Sequence, residues 1–506
     1  MNFERSSGLM MHPTSLPGRF GIGDLGKSAY RFVDFLEASK QTLWQIMPLG
    51  PTGYGDSPYQ ALSSFAGNPL IISLEQMQAY GMISGEEIDS PPQFPDSRVD
   101  YGAVIGYKIP VLKQAYEFFD AKGSPDLKLE FQDFCNRNGW WLEDFALYMA
   151  LKESHNGAPW FEWEWELASR DQKALEKARN DLKNKIETHK FIQFVFFRQW
   201  YFLRSYANSK GIKIIGDIPI YVAYDSCDAW SHPEILKLDD RLRPIVVAGV
   251  PPDLYSETGQ LWGNPVYRWD VLAETGYAWW IDRFRMALQM VDIVRLDHFR
   301  GFEAFWEVPA GESTAVNGRW VKGPGEAFFE AVFDRLGEVP IIVEDLGFMT
   351  PEVDALREKF GLPGMKVLQF AFGGDSGNVY LPHNYPRNCV VYTSTHDSDT
   401  ARGWFEETAS EEAKSHLLRY AGCPNPREIH WEMIRLAWRS VANIAMAQTQ
   451  DVLGLDNSGR MNLPGSLGGN WSWRMLPGAL TPEIASRLAE ITELYGRDPG
   501  SAEAHY

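Results

Sequence analysis

The sequence predicts an α/β fold, a (β/α)8 TIM barrel with largely helical insertions forming subdomains. Eight short apolar segments lie between Gly8 and Asp451, most of them separated by helical patterns, which is the rhythm of βαβ units in a parallel sheet. Three of these segments end in a carboxylate, at Asp297, Glu344 and Asp397. Charge at the carboxyl end of an apolar strand is costly unless it faces a cleft, and in parallel α/β architectures that end is where ligands bind. The rival is a doubly wound open sheet, and no dinucleotide or phosphate-binding glycine fingerprint is counted in its favour.

Gly8 to Pro13 is the first strand, stopped by its proline. A Gly-rich connection leads to a helix over 28–40, with Ala29, Phe32, Val33 and Leu36 on one face. Thr42 to Leu49 follows as the second strand. From its carboxyl end the loop Gly50 to Gln60 presents Ser57 and Tyr59, either as ligand contacts or as packed turn residues. Residues from about 75 to 205 then read as an inserted helical subdomain, with a solvated charged run over 171–190. Trp160, Trp163 and Trp165 fit the packing of that subdomain better than a sugar platform.

Ile212 to Pro219 is the third strand and carries Asp217. A second insertion, about 223–290, includes a long loop at 249–265 whose Tyr255 and Trp262 are placed either to stack on a ligand or to anchor the loop. The fourth strand, 293–299, changes from Ile293 and Val294 to Arg295, Asp297, His298 and Arg300 within a few residues. Two apart on a strand, Arg295 and Asp297 point to one side, where the guanidinium favours the carboxylate's charged form. Segments 340–347, 365–370, 389–397 and 444–451 complete the set, and the whole of 1–506 reads as one catalytic domain.

Net charge is −19 over 506 residues, which disfavours nucleic acid and anionic membranes as partners. Met1 to Arg5 lack the apolar run of a secretory signal and no run approaches the length of a membrane span, so the cytoplasm is the expected compartment. Cys135, Cys227, Cys389 and Cys423 form no C-x-x-C pair. His396, Asp397, Asp399, Glu344 and Asp345 are conceivable metal ligands, but H-x-H and H-E-x-x-H spacings are absent, so no metal and no cofactor is expected. Strand ends of a barrel converge, and two facing carboxyl groups are what a retaining glycosidase uses as nucleophile and acid/base.

In combination, the stretches HPTSLPG (from His12), PLGPTGYGDSPYQ (from Pro48), RLDHFRGF (from Arg295), VEDLG (from Val343) and STHDSDT (from Ser394) resemble those of the amylomaltases, or 4-α-glucanotransferases. The resemblance implies Asp297 as nucleophile, Glu344 as general acid/base and Asp397 as the transition-state-stabilising carboxylate. It implies Arg295, His298, His396, Asp217, Tyr59, Ser57 and Asn462 as substrate contacts. It also places the 249–265 loop, with Trp262, over the acceptor side. The expected activity is transfer of α-1,4-glucan segments between maltooligosaccharides or to glucose. The same triad also suits an α-1,4-glucan hydrolase, and a non-catalytic glucan-binding barrel is the reading from another class. Assembly state is not legible.

Overall fold

The computed structural model describes residues 3–86, 88–253, 256–422, 426–466 and 468–498. Eight strands form the barrel: β1 Ser6–Met10, β2 Leu43–Gln45, β3 Lys213–Ile218, β4 Ile293–Leu296, β5 Ile341–Val343, β6 Gly364–Val367, β7 Cys389–Tyr392 and β8 Ile444–Gln448. Each overlaps one of the eight segments expected from sequence. The sheet runs β6-β7-β8-β1-β2-β3-β4-β5, parallel at every step. The ring is drawn shut between β5 and β6, where Val343 N–H donates to the Pro363 carbonyl at 3.0 Å and Met365 N–H to Asp345 Oδ1 at 2.6 Å.

The strands are short and buried on both faces, and the period of two sorts their side chains. Leu43, Ile215, Ile293, Ile342, Met365, Val390, Tyr392, Ile444 and Met446 fill the barrel. Their neighbours Trp44, Ile214, Val294, Ile341, Val343, Val391 and Ala445 face outward into the core shared with the helices. β1 contributes Gly8 at the crowded inner position, because a Cβ there would lie 2.2 Å from the Leu43 carbonyl oxygen.

Between β2 and β3 the chain makes the helices Leu74–Ala79, Tyr101–Lys122, Pro125–Ser154, Gln172–Asp181 and Lys183–Ser209. Trp160 and Trp163 are buried there against Tyr148, Tyr224 and Trp230, whereas Trp165 is 53% exposed. The stretch read as a loop at 249–265 is largely a hairpin. Val246–Val250 and Gln260–Pro265 pair antiparallel, and with Ala304–Pro309 and Arg319–Lys322 they build a second, four-stranded sheet beside the barrel mouth.

The glycine-rich connection after β1 departs from expectation. Residues 21–28, Gly-Ile-Gly-Asp-Leu-Gly-Lys-Ser, do carry the spacing of a phosphate-binding loop. The fold closes that possibility. The amides that would face a phosphate are taken: Gly23 N–H by the Thr14 carbonyl, Leu25 N–H by the Ile71 carbonyl and Gly26 N–H by the Asp24 carboxylate at 2.8 Å. Residues 20–26 are buried, and an acid occupies the place where an anion would sit.

Candidate active site

β4 delivers the central residues. Arg295 is its third residue, and Asp297 follows the last, its N–H held by the Ile218 carbonyl of β3 at 3.0 Å. One guanidinium nitrogen, Nη1, reaches both Asp217 Oδ2 at 2.5 Å and Asp297 Oδ1 at 3.0 Å. Arg295 and Asp217 are register partners on adjacent strands, so the sheet itself fixes this pair. Asp217's side chain is 1% exposed, and burial pushes its carboxyl up to about 6 despite the guanidinium, with the charge of Asp297 adding to the rise.

Glu344 follows β5, placed by its own N–H to the Leu296 carbonyl and by its carbonyl, which accepts from Phe299 N–H. Its carboxyl oxygens take backbone donors from Leu346 at 3.0 Å and His298 at 2.8 Å. Burial, and then the negative charge of Asp297, raise the Glu344 carboxyl to about 8, so near neutral pH it carries a proton. His298 stands at φ 48°, and burial lowers its imidazole to about 4, which keeps it neutral. Trp262 packs edge-on against it, with centroids 4.9 Å apart.

The third acid lies across the mouth. Asp397 follows β7, and its Oδ1 accepts from Asn462 Nδ2 at 2.7 Å. His396 stacks on Tyr59, centroids 5.4 Å apart at 17°, and Trp471 lies 5.9 Å from the His396 ring. The Tyr59 hydroxyl donates to Asp217 Oδ2 at 2.9 Å and lies 2.9 Å from His396 Nε2. Since the carboxylate takes the tyrosine proton, Nε2–H of His396 is the donor to the hydroxyl oxygen.

These groups share one cleft of about 1750 Å³. Ser57, Tyr59, Trp262, Arg295, Asp297, His298, Glu344, His396, Asp397 and Asn462 all line it. Asp217 does not; it sits beneath, holding Arg295 and Tyr59. The cleft also takes Trp320, Phe348, Phe370, Tyr380 and Trp471, which sequence reasoning did not single out. Their only signal is being aromatic in Gly- and Asn-rich surroundings, as Phe348 is after Gly347. Tyr255 lies outside the described residues. No group of three or more His, Cys, Asp or Glu side chains arranged to hold a metal ion is present among the described residues.

The arrangement offers a protonated carboxyl, a carboxylate facing a guanidinium and a third acid across a long cleft. Such a set can protonate a leaving oxygen, attack an electrophilic carbon and stabilise positive charge between the two events.

Comparison with known proteins agrees. A family model described as 4-alpha-glucanotransferase matches residues 11–480. The 4-alpha-glucanotransferase of Thermus thermophilus is 51% identical over 500 residues, 97% of this chain and 99% of its own. That of Synechocystis sp. is 52% identical over 497 residues, 98% of each chain. Among solved structures, the amylomaltase from Streptococcus agalactiae in complex with acarbose has a TM-score of 0.95 and 39% identity, covering 98% of this chain and 100% of its own.

Proposed function

This chain belongs to the 4-alpha-glucanotransferase family and has that activity, and from this premise we propose a retaining double displacement on α-1,4-glucans. Maltooligosaccharides and longer glucans serve as donors; glucose or another glucan end serves as acceptor. Binding of acarbose by the Streptococcus agalactiae relative supports a carbohydrate in the cleft. The observation that carries the mechanism is geometric: Asp297 is held by Arg295 Nη1 at 3.0 Å and shares one cleft with Glu344, whose carboxyl burial and the charge of Asp297 raise.

Asp297 attacks the anomeric carbon while Glu344 passes its proton to the departing glycosidic oxygen. The bond to the aglycone breaks, and a glycosyl ester on Asp297 forms. Asp397 and His396 grip sugar hydroxyls more tightly as the ring flattens, an interaction that favours the transition state over the bound substrate. Glu344, now a base, takes the proton from the acceptor's 4-hydroxyl, which displaces Asp297. Two inversions return the α configuration.

Transfer requires that water lose to the sugar acceptor. Val250, Pro251, Pro252, Asp253, Glu257 and Trp262, from the 246–265 hairpin, line the cleft and supply a cover that excludes water when an acceptor is seated. No described helix is long and apolar enough to cross a membrane, and the cytoplasm is the proposed compartment.

Incubation with maltotriose tests the donor and acceptor roles. Glucose and longer maltooligosaccharides should accumulate at constant total reducing ends. Rising reducing ends without longer products would mean hydrolysis and would overturn the water-exclusion argument.

A further inference from the structure

We infer that Arg460, which lies outside the cleft lining, is a positioning residue that sets the reach of Asp397; the inference rests on the role proposed for Asp397. Asp397 has little packing to hold it, because its side chain is 49% exposed. Its Oδ2 lies 3.4 Å from His396 Nε2, and the hydrogen bonds that hold its carbonyl and its Oδ1 lead to one guanidinium. Arg460 Nη2 donates to the Asp397 carbonyl at 2.9 Å, and Nε donates to the Asn462 carbonyl at 2.8 Å. Asn462 in turn donates its side-chain amide to Asp397 Oδ1 at 2.7 Å and its N–H to the His396 carbonyl at 3.0 Å. Arg460 therefore ties down both ends of the third acid, its backbone directly and its carboxylate through Asn462.

The guanidinium is itself anchored. Its Nη1 pairs with the Asp399 carboxylate, whose other oxygen accepts from Thr408 Oγ1 at 2.5 Å, and the Asp399 carbonyl accepts from Gln369 Nε2 at 2.7 Å. The pair is largely buried, and a fork bridging two carbonyls and a carboxylate imposes geometry that an ammonium does not reproduce. Downstream, the segment carrying Leu463, Ser466 and Asn470 along the cleft is bonded mainly to itself, Leu463 N–H donating to Asn470 Oδ1 at 3.0 Å and Ser466 Oγ to the Leu463 carbonyl at 2.7 Å, so the link between the Asn462 and Asp397 carbonyls runs through Arg460.

Asp397's contact matters most when the sugar ring flattens, so a misplaced carboxylate should weaken transition-state binding more than substrate binding. Arg460→Ala should lower kcat about 10- to 100-fold, the scale of losing charge-assisted hydrogen bonds. KM should stay within about threefold. Free guanidinium ion should restore part of the lost kcat. Arg460→Lys keeps the Asp399 pair and loses the fork, so its kcat should fall between the two, and it serves as the probe should the alanine variant not fold. Affinity for acarbose should drop more than affinity for maltotetraose.

Asp397→Asn is measured alongside. A kcat near wild type in Arg460→Ala, or in Arg460→Lys where that is the probe, together with a large loss in Asp397→Asn, overturns the inference and leaves the role of Asp397 standing. So does a kcat loss that guanidinium does not relieve and that follows a parallel fall in Tm. Near-normal turnover in Asp397→Asn overturns the role of Asp397 itself.

Discussion

The backbone N–H of His298 donates to Oε2 of Glu344 at 2.8 Å, and it does so from a left-handed backbone at φ 48°. A bulky residue in that region carries strain, which persists only where the surroundings over-determine it. Here the strained residue directly follows Asp297. The turn that ends β4 is bent so that its amide reaches the carboxyl just past β5. Leu346 N–H holds the other oxygen, so Asp297 and Glu344 are carried by one rigid unit.

That unit predicts a pH profile. The first step needs Glu344 protonated, and its carboxyl is raised to about 8 by burial and by Asp297. kcat/KM should therefore fall as pH rises through about 8. The stability sign agrees: the native state keeps a proton that the unfolded chain releases from its ordinary 4.5, so Glu344's contribution is greatest below that value and is lost as pH climbs to about 8. A descending limb between pH 4 and 5 would contradict the assignment.

Arg295→Ala leaves Asp217 and Asp297 facing each other without their shared cation. Breaking a buried ion pair costs about 3–5 kcal/mol at neutral pH. Asp217 already rises to about 6 with the guanidinium present, and without it the carboxyl climbs further. A proton can then relieve the repulsion, so the destabilisation should be smaller at pH 5 than at pH 7.5. Denaturant unfolding at the two pH values checks this; equal deficits would be evidence against the coupling.

Tyr59→Phe keeps the ring on His396 but removes the hydroxyl between His396 Nε2 and Asp217 Oδ2. A lost hydrogen bond to a charged group is worth roughly 10- to 100-fold, and the loss should appear in kcat/KM with little change in Tm. Initial rates on maltotriose together with a melting curve test it. An unchanged kcat/KM would mean that the bridge plays no part in catalysis.

Gly364→Ala should open the barrel's last seam. A Cβ there would sit 2.0 Å from Asp345 Oδ2, and Asp345 Oδ1 holds Met365 N–H between β5 and β6. Overpacking of this kind costs about 1–3 kcal/mol. Thermal unfolding should show the loss while activity at low temperature remains close to wild type.

The barrel strands were legible because all eight are apolar runs bounded by Gly, Pro or charge, and because Arg295, Asp297 and Glu344 break those runs abruptly. The second sheet was not legible. Its strands Val246–Val250 and Ala304–Pro309 are apolar like those of the barrel, but they pair antiparallel across segments far apart in sequence, which no local pattern announces. Arg460 escaped notice for a related reason: a lone arginine after a glycine reads as a solvated side chain, and only the folded loop brings the Asp397 and Asn462 carbonyls to it. Asp217 was legible as a strand-end acid, yet its place beneath Arg295 depends on the register of β3 against β4.

The most direct measurement is to trap the intermediate. The protein is reacted with a 5-fluoro-α-glucosyl fluoride donor, digested, and its peptides are mapped by mass. A glycosyl adduct on the peptide bearing Asp297, localised to that carboxylate, is the predicted result. An adduct on Asp397 instead, or no adduct together with products of inverted configuration, would contradict the assignment of Asp297 as nucleophile.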